Sequence, residues 1–223
     1  MENIVALWKP VGPTSHDLVD AVRRVTGERR VGHAGTLDPL AEGVLVIGIG
    51  RDATRQLGDI VQKEKEYIAT VHLGATSTTD DAEGEKSDFK FEISNQPTED
   101  TIRDALPHFI GTIQQVPPVY SALKVRGMPA HRRVRRGQEV TLEPRSVRID
   151  AIELLEYTWP IVRLRVVTGP GVYIRSLARD LGQALGTGGY LDALVRTRVG
   201  QYAKQDARTR EQFEEQWRKN AGA

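Results

Sequence analysis

Asp38 stands in the segment Gly32-His33-Ala34-Gly35-Thr36-Leu37-Asp38-Pro39-Leu40-Ala41-Glu42-Gly43, a carboxylate in a glycine-flanked loop that runs into the apolar stretch Val44-Leu45-Val46-Ile47-Gly48-Ile49. Glycines at 32, 35 and 43 admit backbone angles closed to other residues, and Pro39 stiffens the turn directly after the carboxylate. A carboxylate held in this way serves as nucleophile or base, and a buried strand behind it is the anchor that such a site needs. The same residues also describe a tight turn with a capping aspartate. An ionised, oriented aspartate calls for a cation nearby, and an arginine in a bidentate pair both favours the charge and fixes its plane.

The elements that would position this carboxylate are short and mixed. Ser15 is placed to cap a helix whose Leu18, Val19, Val22 and Val25 form one apolar face before Gly27 stops it. Tyr67, Ala69, Val71 and Leu73 alternate with Ile68, Thr70 and His72, as in a strand covered on both faces. The acidic stretch 76–95 reads as a loop or hairpin. Thr98 opens a helix with Ile102, Ala105, Leu106 and Phe109 inward, and 149–157 and 161–168 read as a strand pair around Trp159-Pro160. Ile174, Leu177, Ala178, Leu181 and Leu185 form a further helical stripe, which places Tyr173 and Arg175 at a helix start. The class is α+β, with no internal repeat, and the chain is expected to be a single domain over 1–223.

Composition narrows the chemistry. With no cysteine, disulfides, thiolate metal sites and cysteine nucleophiles are excluded, and five scattered histidines without His-x-x-x-His spacing argue against a metal site. No apolar run approaches ~20 residues and no signal-peptide pattern opens the chain, so a soluble cytoplasmic protein is expected. Net charge is only +1, but it is unevenly spread. Residues 80–104 are acidic, whereas Lys124, Arg126, Arg132, Arg133, Arg135, Arg136, Arg145 and Arg148 face two glutamates over 124–148, and a second basic stretch runs from Arg196 to Arg210. Local positive potential binds a phosphate backbone even on a nearly neutral protein. The arginine run is either such a site or an ordinary solvated face. Prolines and this run make 116–140 an extended basic arm, with Pro129 placed to start a short helix.

Ordered motifs carry a resemblance. Besides the Asp38 segment, Lys9-Pro10-Val11-Gly12-Pro13-Thr14-Ser15, Gly50-Arg51-Asp52-Ala53-Thr54-Arg55, Lys63-Glu64-Lys65-Glu66-Tyr67, Pro117-Pro118-Val119-Tyr120-Ser121-Ala122-Leu123-Lys124 and Gly169-Pro170-Gly171-Val172-Tyr173-Ile174-Arg175-Ser176-Leu177 resemble, in order and roughly in spacing, the bacterial tRNA pseudouridine synthase B family. The resemblance implies the pseudouridine synthase fold, a mostly antiparallel mixed sheet flanked by helices and loops with a thumb-like insertion at 116–140. It also implies isomerisation of the T-loop uridine of tRNA, position 55, without metal or redox cofactor. Asp38 matches the essential aspartate, Arg175 the arginine that pairs with it, and Tyr67 the tyrosine that stacks on the base and takes the C5 proton. On the substrate side the match adds His33, which fills the gap left by the flipped base, Tyr173 and Leu194, with Lys9, Lys124, Arg132, Arg133, Arg135 and Arg136 toward the RNA.

Departures from the family pattern are His131 for a tyrosine, Val195 for an arginine and Arg55 for a lysine. The chain also reads as a short form without the family's C-terminal RNA-binding domain, ending in a helical tail with Phe213 and Trp217. The partner implied is the tRNA T stem-loop, with no membrane, no obligate protein partner and a monomeric state expected. Two alternatives are a guide-RNA-dependent relative with the same core and an RNA-binding module that does not turn over.

Overall fold

The computed structural model describes residues 3–90, 96–121, 123–125, 128–129, 133, 138 and 140–221. Its elements begin with β1 (Ile4–Lys9), α1 (Ser15–Thr26), β2 (Val31–His33), β3 (Ala41–Ile49), α2 (Arg51–Val61) and β4 (Lys65–Leu73). There follow β5 (Ala75–Ser77), β6 (Lys86–Asp88), α3 (Glu99–Ala105), β7 (Gly111–Gln115), β8 (Lys124–Val125) and β9 (Met128–Pro129). The rest is β10 (Arg145–Thr158), β11 (Ile161–Thr168), α4 (Ile174–Ala184), β12 (Gly189–Val199), β13 (Tyr202–Ala203) and α5 (Arg210–Ala221). Two compact units form, one within Met1–Ile68 and Leu194–Ala223, the other within Ala69–Ala193, so that β4 and β12 each have residues in both.

In the first unit β3 is the organising strand. β1 lies antiparallel to it from Ile4↔Gly48 to Lys9↔Gly43, β2 pairs with its far end, and β12 joins it in parallel from Leu194↔Ala41 to Arg196↔Gly43. Alternate residues of β3 serve two cores. Leu45, Ile47 and Ile49 pack with Val5, Leu7, Leu18, Val19, Val22, Val31 and Phe213, while Val44 and Val46 pack with Ala6, Ala34, Leu57 and Val199. A strand buried on both faces reads as a continuous apolar run, as it does in the sequence, and each fully buried aliphatic side chain contributes about 1.5–3 kcal/mol.

The cap of α1 lies one residue earlier than the sequence suggests. Thr14 is the N-cap and forms a reciprocal capping box with Asp17, and Gly27 ends the helix in the left-handed region at φ 70°. Ser15 is thereby released for another task, described below. Phe213 and Trp217 of α5 pack together on the α1 side of the core, with ring centroids 5.8 Å apart.

The second unit is antiparallel in its described ladders. β10 pairs with β11 down to Thr158↔Ile161 and with β7 from Arg145↔Gln115 to Ile149↔Gly111. The acidic stretch opens as a hairpin, β5 against β6. The helix opened by Thr98 stops at Ala105 and tightens into a 3-10 turn over Leu106–Phe109, because Pro107 cannot continue it. Ile102 and Leu106 are buried, as expected, whereas Ala105 and Phe109 are half-buried. Pro129 closes the β8–β9 hairpin opposite Lys124, Arg133 is helical, and the rest of the short helix expected after Pro129 lies outside the described residues. Both units are mixed, helices on mostly antiparallel sheet, in agreement with the α+β class. Among the described residues no helix is long and apolar enough to cross a membrane.

Candidate active site

The loop between β2 and β3 is tied down at every residue from Ala34 to Pro39. Ala34 N–H donates to Val46 O at 2.9 Å. Arg196 Nη2 donates to Gly35 O at 3.0 Å and its Nη1 to Thr36 O at 3.4 Å. The Ser15 hydroxyl accepts from Leu37 N–H at 2.8 Å and donates to Leu37 O at 3.0 Å. Asp38 O accepts from Ala41 N–H at 3.1 Å, and Pro39 O from Gly12 N–H at 2.9 Å. Asp38 itself is half-buried on this frame. Gly35 and Gly43 have φ of 93° and 124°, values that strain any other residue. Gly32, expected to do the same, is ordinary strand backbone, and its missing side chain instead makes room for Leu57, whose Cδ1 would lie 3.2 Å from a Cβ there.

Lys9, expected on the RNA, is fully buried. Its ammonium donates to Pro10 O and Pro13 O at 2.8 Å each and reaches Pro39 O at 3.5 Å, so it joins the proline-rich loop after β1 to the Asp38 loop. A buried ammonium needs several acceptors, and this loop offers carbonyls that no N–H of its own strand takes.

Tyr67 lies on β4 in the same unit and is buried, on the inward face with Lys65. Arg196, 1% exposed, lies near enough to Tyr67 and to the Asp38 carboxylate for both to favour its charged form. Burial lowers the guanidinium pKa, and both neighbours oppose that change. The sequence placed Arg196 at the head of a basic stretch. Strand alternation instead turns it inward with Leu194, which is also buried, and the rest of the stretch is locally paired. Arg198 pairs with Glu64, Arg210 with Glu214, and Lys204 lies over Trp8. An arginine at an apolar register position was the available signal. His33, half-buried on β2, has its pKa lowered first by burial and then by Arg196 and His16, which keeps the ring neutral at pH 7.

Lys65 carries a prediction of its own. Its ammonium is held by the Val61 and Lys63 carbonyls, and burial, with Arg196 nearby, brings its pKa from 10.5 to about 8. Between these values the unfolded chain binds a proton that the folded chain does not, so this group adds stability as pH rises through the window. Urea unfolding of the wild type and Lys65→Met at pH 7.5 and 10.5 is expected to show the difference moving in favour of the wild type by roughly 2 kcal/mol.

In the second unit Arg175 occupies the first turn of α4 and is buried with Asp81, their side chains 7% and 3% exposed. Arg175 Nη1 lies 3.2 Å from Asp81 Oδ2 and 3.3 Å from Thr79 O, and Nη2 donates to Tyr120 O at 3.0 Å. Asp81 Oδ1 accepts from the Thr79 hydroxyl at 2.5 Å and from Glu83 N–H at 3.0 Å. A cation at a helix N-terminus opposes the macrodipole, and the Asp81 carboxylate offsets that cost. One turn on, Arg179 pairs with Asp80 at 2.7 Å. The head of the acidic stretch is therefore internal, a role that its composition did not reveal. Tyr173, half-buried at the α4 N-cap, is clasped by Gln115, whose amide accepts from Tyr173 N–H at 2.9 Å and donates to Tyr173 O at 3.1 Å.

Of the basic arm, Arg132, Arg135, Arg136 and the Lys124 side chain lie outside the described residues, as do Arg126 and His131. Arg133 donates to Gln138 Oε1 at 3.2 Å.

Comparison with known proteins gives the family of the chain. A model of the TruB family pseudouridylate synthase N-terminal domain matches residues 23–174, and one of the tRNA pseudouridylate synthase B C-terminal domain matches residues 175–223. The tRNA pseudouridine synthase B of Thermobifida fusca is 48% identical over 221 residues, covering 93% of this chain and 73% of that protein. That of Mycobacterium tuberculosis is 47% identical over 210 residues, covering 92% and 70%. A chain in the crystal structure of a Cbf5–Nop10–Gar1 complex superposes with a TM-score of 0.75 at 30% identity, over 99% of this chain and 56% of that one. With matched models along residues 23–223 and relatives nearly half identical over more than nine-tenths of its length, the chain belongs to the TruB family of pseudouridylate synthases.

Proposed function

We propose that the uridine isomerised by this tRNA pseudouridine synthase is that of the T loop, position 55, and that Asp38 is the group on which the reaction depends. The observation that carries this reading is the Asp38 loop. Its main chain is held from β1, α1, β3 and β12 at every residue around one half-buried carboxylate. Fixing a charge this firmly serves a reaction in which that charge must meet a substrate atom, since preorganised groups need no rearrangement when the barrier is crossed.

The chemistry breaks the bond between ribose C1′ and uracil N1, turns the base, joins C1′ to C5 and releases the C5 proton. Asp38 acts on the sugar or the base, or takes a ribose proton, and each route needs an ionised carboxylate in one place. Tyr67 stacks on the base and accepts the C5 proton, and Arg175 is the third catalytic group. Extruding the base costs a few kcal/mol of stacking, and the neutral ring of His33 fills the gap without bringing charge into the stack. Tyr173 and Leu194 line the base, while Lys124, Arg132, Arg133, Arg135 and Arg136 hold the backbone. The enzyme works as a cytoplasmic monomer within a single catalytic domain, without an obligate protein partner.

The test is tritium release from T-arm transcripts labelled at uracil C5. The purified chain alone is expected to release one tritium per transcript, and cytidine at position 55 to remove that release. Undiminished release from the cytidine transcript overturns the site assignment, and release only with added proteins overturns the independence from partners. For the arm, Arg132→Ala with Arg133→Ala is expected to weaken tRNA binding and to flatten log Kd against log salt by roughly 1.5. Equal slopes in filter binding would remove the arm from the RNA interface.

A further inference from the structure

We infer that Arg196 is a positioning residue for the isomerisation, a buried guanidinium that fixes the Asp38 loop against β3. The inference rests on the proposed role of Asp38. Arg196 Nε donates to Val44 O at 2.8 Å, and the two terminal nitrogens donate to Gly35 O and Thr36 O. One planar group therefore spans the entry to the loop and the first residues of β3, on either side of Asp38. Its own backbone is pressed into the same place, since a Cβ on Gly43 would lie 2.2 Å from Arg196 O, so β12 and β3 are brought together by the absence of a side chain.

Structural need alone does not explain this choice. A buried strand position beside Leu194 and Val199 is served by an aliphatic residue, and a fully buried cation is costly unless its donors are all used. Five donors in a fixed fork suit three carbonyls in different directions, whereas the single ammonium of lysine reaches only part of that set. The residue that gains from this arrangement is Asp38, which follows the two clamped carbonyls by two residues. A displacement of about 1 Å at a reacting group costs on the order of 100-fold in rate.

The experiment measures single-turnover tritium release at saturating tRNA, tRNA Kd by filter binding and thermal unfolding for wild type, Arg196→Lys and Arg196→Met. Both variants are expected to bind tRNA within about 3-fold of wild type, while the rate falls roughly 10-fold in Arg196→Lys and roughly 100-fold in Arg196→Met. The graded loss at constant Kd, with partial rescue by lysine, is what a purely structural role does not produce. A folded Arg196→Met within 3-fold of the wild-type rate overturns the inference, as does a loss of rate that follows Kd. Loss of the folded state in both variants makes Arg196 a core residue only and also overturns it. Absence of release by the wild type instead removes the functional reading, and this inference with it.

Discussion

Asp38→Asn is expected to abolish pseudouridine formation, lowering the single-turnover rate by roughly 10,000-fold or more, while tRNA Kd changes by less than about 3-fold. The contrast follows from how the loop is held. The hydrogen bonds that hold its main chain involve Ser15, Gly12, Ala41, Val46, Lys9 and Arg196, and each of them ends on a backbone atom of the loop. Asparagine has nearly the same shape, so the loop keeps its path and only the charge is lost. Asp38→Glu completes the argument, because it retains the charge and advances it by one methylene on a backbone that cannot retreat. Its rate is expected to fall by roughly 100-fold. Rapid-quench tritium release with filter binding in parallel checks both, and an asparagine variant within tenfold of the wild-type rate would falsify the assignment of Asp38.

Asp81→Asn is expected to have the next largest effect, lowering both stability and rate. Arg175 and Asp81 are buried together, and an asparagine there removes the carboxylate that faces Arg175 Nη1 while the guanidinium stays out of water. Breaking a buried pair from one side costs about 3–5 kcal/mol. The helix start adds to this, since the macrodipole of α4 opposes the same cation. With its fork no longer fixed, Arg175 loses its orientation, and the rate is expected to fall by roughly 100-fold. Urea unfolding and single-turnover release check the two effects separately. A variant that loses stability but keeps its rate would leave Asp81 as a structural partner and remove Arg175 from the catalytic set.

Much of the fold was legible because it depends on local rules. The apolar run 44–49, the alternation through Tyr67 and the stripes of α1 and α4 are each the imprint of one backbone geometry against a core, and all four appear as elements close to their expected limits. The misreadings were small and had local causes. Thr14 outcompeted Ser15 as a cap because Asp17 completes a capping box with it, and Pro107 cut α3 short.

The sequence by itself determined the residue types available for chemistry: a carboxylate in a glycine and proline loop, two tyrosines, an arginine at a helix start and no thiol. Only the tertiary structure decided which charges face water and which are enclosed. Lys9, Arg196, Arg175 and Asp81 look like surface charges in one dimension, and each is buried in three. The physical reason is that a buried charge is permitted only by partners that converge on it, and these come from positions as distant as Pro39 for Lys9, Gly35 for Arg196 and Thr79 for Arg175. Sequence spacing records the periodicity of one element, whereas such convergence exists only after the elements have packed.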